Sequence, residues 1–244
     1  MLSRLIEELQ DSGTIQVSTR VKQMAQKGIK VLGFGMGEPD FDTPPQIKQA
    51  AIRAIEEGFT KYTPTAGTPE LREAICEKLW RDNHLKYSPL QIIVSAGAKQ
   101  AIQNIILALC EKGQEVIIPS PYWVSYPEQV RLAGATPVLV PTNDVTGFKL
   151  TPDELDKAIT PRSRLLILNS PCNPTGAVYT ETEFRELVDL AVRKGLFIIS
   201  DEIYEKITYY GMRHHSPAAL AEEYYPKVVT VNGFSKSYAM TGWR

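Results

Sequence analysis

The sequence predicts a three-layer α/β protein with helices on both faces of a mostly parallel sheet, preceded by an N-terminal arm. From residue 91 onward, short apolar runs alternate with segments of helical periodicity. The runs end in turn-forming residues such as Pro, Gly and Asn. This alternation is typical of strands joined by crossover helices, and such connections make neighbouring strands parallel.

The apolar runs predict six strands of a length that suits such a sheet. The last of them, Val228–Val231, is a β-branched run of the kind found in buried strands. The predicted strands are Ile92–Val94, Glu115–Ile118, Thr136–Val140, Leu165–Leu168, Leu196–Ser200 and Val228–Val231.

Capping signals predict where several helices begin. Thr43 predicts an N-cap with Pro44 as the first helical residue, and Gly58 predicts the end of that helix. Thr180 with Glu183 forms a capping box. The other predicted helices run from Pro69 to about Asn83, from Lys99 to Cys110, through Pro127–Leu132, over a short stretch from Thr151-Pro152, and from Thr180 to about Lys194.

The composition excludes several functional classes. With 43% apolar and 23% charged residues and a net charge of −1, the chain of 244 residues is typical of a soluble globular protein. The near-zero charge offers no attraction for nucleic acid or an anionic membrane, and no apolar run reaches the roughly 20 residues of a membrane helix. Three scattered cysteines favour a reducing compartment, and neither a disulfide framework nor a zinc site. We therefore expect a cytoplasmic protein without a metal site.

Glycines at positions 33, 35 and 37 suggest a dinucleotide-binding loop at first sight. That fingerprint requires a glycine at its sixth position and a helix directly after it. Glu38 occupies the sixth position and Pro39 follows, so the sequence excludes this interpretation.

Five of the predicted strands are followed by residues that could bind a ligand. In sheets of this type, ligands bind outside the carboxyl ends of the strands. Each residue also has an ordinary explanation as a turn, a helix cap or a core aromatic, but together they form an ordered set. They are Gly97-Ala98, Trp123, Asn173, Asp201 and Lys236.

Lys236 follows the last predicted strand, where an ammonium group loses hydration. Desolvation lowers the pKa of a lysine, and a neutral amine can form an imine. The hydroxyl of Ser235 and the guanidinium of Arg244 are groups that bind a phosphate monoester. Together these residues predict a lysine that holds a phosphorylated aldehyde. The alternative is an ordinary loop lysine beside a helix start.

The segment Ser235–Arg244 reads Ser-Lys-x-x-x-Met-Thr-Gly-Trp-Arg. It resembles the pyridoxal-phosphate lysine motif of class I aminotransferases, the aspartate aminotransferase family. The resemblance implies that Lys236 links covalently to pyridoxal 5′-phosphate and that Ser235 and Arg244 hold its phosphate. The similarity extends from about residue 12 to the last residue.

Four further segments, residues 95–100, 119–123, 169–176 and 200–204, resemble motifs of the same family. The resemblance assigns the residues that follow the strands to parts of the cofactor. It implies that Gly97, Ala98 and Lys99 lie at the phosphate, that Trp123 stacks on the pyridine ring, that Asp201 keeps the ring nitrogen protonated, and that Asn173 and Tyr204 hydrogen-bond the ring oxygen.

Two loops near the N-terminus resemble family loops as well. The loop that begins at Gly37 matches Gly-Glu-Pro-Asp-Phe-x-Thr-Pro, and the loop around Tyr62 matches Tyr-x-Pro-x-x-Gly. The resemblance implies that Gly37, together with Trp123 and Asn173, contacts the substrate. It also implies a homodimer in which Tyr62 reaches the cofactor phosphate of the neighbouring subunit. Without the other motifs, Tyr62 could equally be a packing residue.

The implied reaction is amino transfer, with Lys236, Asp201 and Tyr204 as the catalytic residues. Lys236 acts as general base and acid. Lys99 could bind a distal carboxylate of the substrate, or it could be a solvated residue at the start of a helix. The segment Tyr-Trp-Val-Ser-Tyr-Pro at residues 122–127 resembles bacterial aspartate aminotransferases, in which the position of Lys99 can meet a distal carboxylate, and this resemblance implies aspartate and 2-oxoglutarate as substrates. The alternatives are an aminotransferase for aromatic amino acids or prephenate, another pyridoxal-phosphate reaction, and an inactive fragment that only binds.

Residues 1–42 are predicted to form the arm and part of a small domain, and residues 43–244 the cofactor-binding large domain. By the resemblance, family members continue with a strand beside Val228–Val231, an interdomain helix and most of the small domain. That small domain carries the arginine for the substrate α-carboxylate. We therefore expect a C-terminally truncated part of a longer enzyme, or a fragment that needs a partner chain.

Overall fold

A computed structural model of the chain describes residues 4–7, 13–32 and 37–244. Gly33 and Gly35 lie outside these residues. None of the described helices has the length and hydropathy needed to cross a membrane. The described α-helices are α1 (Arg4–Glu7), α2 (Gly13–Gln26), α3 (Pro45–Glu56), α4 (Pro69–Asn83), α5 (Ala98–Leu109), α6 (Ser125–Leu132), α7 (Pro152–Ala158), α8 (Glu181–Arg193) and α9 (Phe234–Ser237).

The strands of the described residues form a single parallel sheet. Its order is β2-β1-β3-β4-β5, and each neighbouring pair runs parallel. The parallel sheet that the sequence predicts is therefore confirmed. The strands are β1 (Glu115–Ser120), β2 (Thr136–Pro141), β3 (Ser163–Asn169), β4 (Phe197–Asp201) and β5 (Val228–Val231).

Alternate residues of the central strand β3 face two separate hydrophobic cores. Leu166 and Leu168 pack in a cluster with Phe184 of α8, whereas Leu165 and Ile167 pack in a cluster with residues of α5. Because side chains alternate along a strand, this division places helices on both faces of the sheet. Burial of each such side chain contributes about 1.5–3 kcal/mol. The predicted three-layer architecture is confirmed.

Ile92–Val94 does not form the predicted strand. Its Val94 N–H donates to the carbonyl of Ala66 at 3.0 Å, and Ile93 is 73% exposed. A strand needs a neighbouring strand for its hydrogen-bond ladder, and the sheet of the described residues does not include this segment. Gly97 therefore follows an extended loop, not a strand.

Strand β1 continues past the predicted end at Ile118 and includes Pro119 and Ser120. A proline has no N–H for a ladder and is tolerated best where a strand has a neighbour on one side only. β1 pairs with β3 only as far as Ile117, whereas its pairing with β2 continues through Pro119. Pro119 thus lies at a position where β1 has a neighbouring strand on one side only.

The N-cap of α3 is Pro44 and the helix begins at Pro45, so the predicted cap at Thr43 is wrong by one residue. The hydroxyl of Thr43 has tertiary partners instead. It donates to the carbonyl of Ala239 and accepts a hydrogen bond from the indole N–H of Trp243 at 3.1 Å. These long-range contacts account for the difference, because they take the oxygen that a cap would need. The predicted capping box of α8, Thr180 with Glu183, is confirmed, and Thr151 forms a second capping box with Glu154 at the start of α7.

The apolar face of α3 lies on the surface of the described chain. No residue of this helix is buried, and Ile55 is 69% exposed. Phe59 and Tyr62, which follow the helix, are exposed as well. Large apolar side chains that are exposed in this number are candidates for an interaction surface.

Candidate active site

The carboxyl ends of the strands bring most of the expected site residues together. The strand order reverses between β1 and β3, which is the switch point where doubly wound sheets bind ligands. In the ladder, Asn169 at the end of β3 lies beside Asp201 at the end of β4. Trp123, Asn173 and Lys236 follow the ends of β1, β3 and β5 within three to five residues.

Asp201 presents a buried carboxylate at this edge of the sheet. The residue is 3% exposed, and its two oxygens accept hydrogen bonds from the hydroxyl of Tyr126 at 2.6 Å and from the N–H of Ile203 at 3.2 Å. Burial raises the pKa of Asp201 to about 6, although both hydrogen bonds favour the ionised form. No cation among the described residues offsets this effect. A positively charged group would therefore bind favourably beside it.

Tyr126 is a functional residue that the sequence analysis missed. It follows the segment 119–123, which resembles a family motif, and nothing in the spacing of Tyr126 indicates a carboxylate partner. The side chain is 2% exposed, and burial followed by the Asp201 carboxylate raises its pKa well above the ordinary value. Tyr126 therefore stays protonated and donates to Asp201.

We expect Tyr126→Phe to raise the pKa of Asp201 above about 6, because the change removes a hydrogen bond to the ionised form. Losing one such bond corresponds to about one pKa unit. The measurement is a carbon NMR titration of the aspartate carboxyls, with Asp201→Asn to assign the signal. Tyr179→Phe, which removes another buried hydroxyl, is the control. A titration of Asp201 that coincides in Tyr126→Phe and the unmodified chain contradicts this prediction.

A chain of hydrogen bonds places Asn173 and Tyr204. The side-chain amide of Asn169 donates to the backbone carbonyl of Asp201 at 2.9 Å and accepts the N–H of Asn173 at 2.7 Å. Asn173 in turn donates to the hydroxyl of Tyr204 at 3.4 Å. Asn169, to which the sequence analysis gave no role, is thus the link that holds these two polar groups beside Asp201.

Trp123 lies between Tyr126 and Lys99. Its ring meets that of Tyr126 edge to face, with centroids 5.4 Å apart and an interplanar angle of 86°. The ammonium of Lys99 lies 5.1 Å from the centre of the Trp123 ring, in a cation–π contact. Because Tyr126 contacts both Trp123 and Asp201, it sets the position of the indole relative to the carboxylate.

The amine of Lys236 lies between two segments of the chain. Its Nζ is 5.6 Å from the centre of the Tyr204 ring and donates to the carbonyl of Gly37. Burial, and then the guanidinium of Arg244, lower the pKa of Lys236, while Glu38 acts in the opposite direction. The lowered pKa increases the neutral fraction, which is the nucleophilic form of a lysine.

Arg244, Ser235 and the start of α5 lie together and present hydrogen-bond donors. Arg244 donates to the hydroxyl of Ser235 at 3.2 Å. Gly97 has a φ of +85°, and a Cβ on it would lie 2.7 Å from Nε of Arg244, so a glycine lets the guanidinium approach the helix. The N–H groups of Ala98 and Lys99 have no acceptor within α5. Guanidinium, hydroxyl and helix N–H groups suit a phosphate.

The segment that contains Gly37 packs on the segment that contains Lys236. Glu38 accepts a hydrogen bond from the hydroxyl of Thr241 at 2.9 Å, next to the Gly37 contact with Lys236. Gly37 thus lies beside Lys236, and its contact with the substrate stays a prediction. Tyr62, in contrast, is fully exposed and has no contact with the site in the part of the chain that the structure describes. Its predicted place at a neighbouring subunit stays a prediction.

The aminotransferase class I and II family matches residues 29–244. The chain is 49% identical over 243 residues to the probable aspartate/prephenate aminotransferase of Aquifex aeolicus, and also to the aspartate aminotransferase of Geobacillus stearothermophilus. Each comparison covers 100% of the chain and 62% of the relative. The chain therefore spans less than two thirds of the length of these relatives.

Two solved structures are similar to the fold over the whole chain. The aspartate aminotransferase from Rhizobium meliloti superposes with a TM-score of 0.96 at 44% identity, and 61% of that protein is covered. The Thermus thermophilus aspartate aminotransferase with maleate superposes with a TM-score of 0.96 at 46% identity, with 63% covered. With a family match over most of its length and these similarities in sequence and fold, the chain belongs to the class I and II aminotransferases.

Proposed function

We propose that this protein is a pyridoxal-phosphate-dependent aminotransferase that moves an amino group between L-aspartate and 2-oxoglutarate. The observation that carries the proposal is the convergence of Lys236 and Asp201 at one edge of the sheet. The first is an amine whose pKa is lowered, and the second is a buried carboxylate whose pKa is raised to about 6. The names of the relatives support the same class of reaction.

The site residues fit pyridoxal 5′-phosphate. A protonated pyridine nitrogen would supply the positive charge that Asp201 lacks among the described residues. The phosphate would bind Arg244 at the start of α5, where the missing Cβ of Gly97 leaves room. The amide of Asn173 and the hydroxyl of Tyr204, which lie together, would donate to the ring oxygen.

When bound, this cofactor supplies an aldehyde that links to amines and a ring that accepts electrons. Lys236 would hold the cofactor covalently. Its amine, once free, would take the proton from the substrate Cα as general base and return it as general acid. Asp201 would hold the proton on the ring nitrogen, and Tyr126 would keep that carboxylate in place. Trp123 would cover one face of the ring and exclude water.

Lys99 supports a substrate with a second carboxylate. Its side chain is exposed, and its ammonium lies over Trp123 beside the site. Aspartate and 2-oxoglutarate both carry a distal carboxylate that such an ammonium can bind. Prephenate is the second candidate, because relatives are named aspartate/prephenate aminotransferase.

We also propose a homodimer in which Tyr62 of one subunit reaches the phosphate site of the other. Tyr62 is fully exposed, and the exposed Ile55 and Phe59 lie near it in sequence. Burying these apolar side chains against a second copy would remove them from water. The free thiols of Cys76, Cys110 and Cys172 agree with a reducing compartment such as the cytoplasm.

The division into two domains remains a proposal as well. We infer that residues 43–244 are the cofactor-binding large domain, because the sheet and nearly all the proposed site residues lie within them. Residues 1–42 would be the arm and part of a small domain. Gly37 is the proposed site residue that comes from this N-terminal part.

The experiment is an assay of the purified chain with pyridoxal 5′-phosphate, L-aspartate and 2-oxoglutarate, in which glutamate formation is measured. We expect glutamate to form and the absorbance of the bound cofactor to change when aspartate alone is added. A cofactor that binds but whose absorbance aspartate leaves unchanged would exclude aspartate as the substrate. The same assay with prephenate as acceptor tests the second candidate.

A further inference from the structure

A buried polar cluster adjoins the site. Glu202 and Glu205 are 1% and 6% exposed, and with His214 they bring possible ligand atoms within 4.8 Å of one another. A metal ion could bridge such a group. However, the ammonium of Lys78 donates to Glu205 and already supplies a positive charge there. The cluster is therefore better described as an ion pair with its hydrogen-bond partners.

Glu205 is held by three side chains. Lys78 donates to one oxygen, and the side-chain amides of Asn83 and Asn232 each donate to the other oxygen at 2.8 Å. These contacts lower the pKa of Glu205 even though burial alone would raise it. The carboxylate is therefore ionised at neutral pH and acts only as an acceptor.

The ionised Glu205 fixes the orientation of Asn232. Because the carboxylate has no proton to donate, Asn232 must turn its NH₂ group toward it. The amide oxygen of Asn232 is then left to accept the N–H of Gly233 at 2.7 Å. Gly233 is the residue that caps the start of α9, and α9 carries Lys236.

A second contact joins the same two turns. A Cβ on Gly233 would lie 3.0 Å from Cδ1 of Ile203, so the backbone at Gly233 packs closely on that side chain. Ile203 and Glu205 flank Tyr204, whose ring lies under the amine of Lys236. Two contacts, Glu205 with Asn232 and Ile203 with Gly233, thus hold the turn that carries Tyr204 against the turn that leads to Lys236.

We propose that Glu205 and Asn232 form a positioning pair that holds the amine of Lys236 in its reactive place over Tyr204. Neither residue touches the reacting atoms, and both act through the turn at Gly233. The inference rests on the proposed function, because it concerns the reaction of Lys236 with the aldehyde of pyridoxal 5′-phosphate.

The test is the rate at which that aldehyde labels Lys236 in the unloaded chain. The amine and the aldehyde form an imine with loss of water, and cyanoborohydride then delivers hydride to the C=N bond and leaves a stable secondary amine. Peptide mass spectrometry locates and quantifies the product. We expect Asn232→Ala to label Lys236 about tenfold more slowly than the unmodified chain, the change that corresponds to one hydrogen bond.

Glu115→Gln is the matched control. Glu115 is also a buried carboxylate, 4% exposed and paired with Arg162, but it lies at the opposite end of β1 from the site. Its replacement should leave the labelling rate of Lys236 unchanged. An equal loss in Glu115→Gln and Asn232→Ala would show a general loss of folding and would overturn the proposal.

Asn232→Asp keeps the acceptor for Gly233 and serves if Asn232→Ala folds poorly. The pH dependence of labelling in Asn232→Asp is also a measurement that a purely structural role of Asn232 would not affect. Two adjacent carboxylates can share a hydrogen bond only when one of them is protonated. We therefore expect its labelling rate, relative to the unmodified chain at the same pH, to rise as the pH falls. A ratio that is constant with pH would count against the positioning pair.

The outcomes separate this inference from the proposed function. If Lys236 is not labelled in the unmodified chain, the proposed function fails and the inference fails with it. If Lys236 is labelled equally in the unmodified chain and in folded Asn232→Ala, the inference alone is overturned. Slower labelling in Asn232→Ala with a normal rate in Glu115→Gln supports it.

Discussion

Lys236→Ala should lower the rate of amino transfer from aspartate by at least about 10³-fold, the upper part of the range for loss of a general acid–base group. The change removes both the covalent attachment of the cofactor and the group that moves the Cα proton. We expect no loss of stability, because the burial that lowers the pKa of Lys236 opposes its charged form. The measurements are glutamate formation and the midpoint of thermal unfolding.

Lys236→Arg separates the chemistry of the amine from its charge. Arginine keeps a donor for the carbonyl of Gly37 and a cation over Tyr204, but it does not become neutral near pH 7. It should therefore be as inactive as the alanine variant. The exposed Lys157, in the last turn of α7, provides the control, and Lys157→Ala should keep full activity. Substantial activity in Lys236→Arg would show that Lys236 is neither the nucleophile nor the general base.

Periodicity and turn residues were sufficient for most of the fold. The strands at the centre of the sheet are apolar runs with clear ends, and capping boxes such as that of Thr180 with Glu183 are local signals. The failures occurred where partners distant in sequence decide the outcome. Ile92–Val94 has the composition of a strand but no neighbour in the sheet of the described residues. Thr43 has the chemistry of a cap but bonds to Ala239 and Trp243.

The residues of the candidate site also fall into two groups, those that the sequence indicates and those that only the fold brings together. Lys236 and Asp201 could be found from the sequence, because each carries distinctive chemistry directly after a strand. Tyr126 could not, since its contact with Asp201 joins residues 75 positions apart and requires the packing of α6 against the sheet. The same holds for Asn232 and Glu205, which are ordinary polar residues until the fold places the ionised carboxylate beside the amide.

Asp201→Asn should raise the stability of the unloaded chain while it removes activity. The folded-state pKa of Asp201 is about 6, raised from an unfolded value of about 3.8. The stability that this group contributes is therefore complete below about pH 4 and is lost as the pH rises through about 6. Above pH 6 the buried charge costs about 3 kcal/mol. Asparagine should remove this cost, because its amide can accept from Ile203 and donate to the oxygen of Tyr126.

The measurement is the free energy of unfolding from pH 4 to pH 8 without added cofactor. The higher free energy of unfolding of Asp201→Asn, relative to the unmodified chain, should appear between about pH 4 and pH 6 and persist above about pH 6. Glu115→Gln is the control of opposite sign. Hydrogen bonds from Thr160 and Arg162 lower the pKa of Glu115, so its contribution is present at neutral pH and is lost as the pH falls. That variant should therefore be less stable at pH 7.

Bound cofactor should reverse the order of stability, so that the unmodified chain becomes more stable than Asp201→Asn. If a protonated ring nitrogen pairs with Asp201, pyridoxal 5′-phosphate stabilises the unmodified chain more than Asp201→Asn by mass action. The loss of that charge should also lower the rate of amino transfer by at least about 100-fold. A variant that is both more stable when unloaded and inactive would show that the carboxylate is retained for its chemistry. A variant less stable than the unmodified chain at pH 7 would instead make Asp201 a structural group.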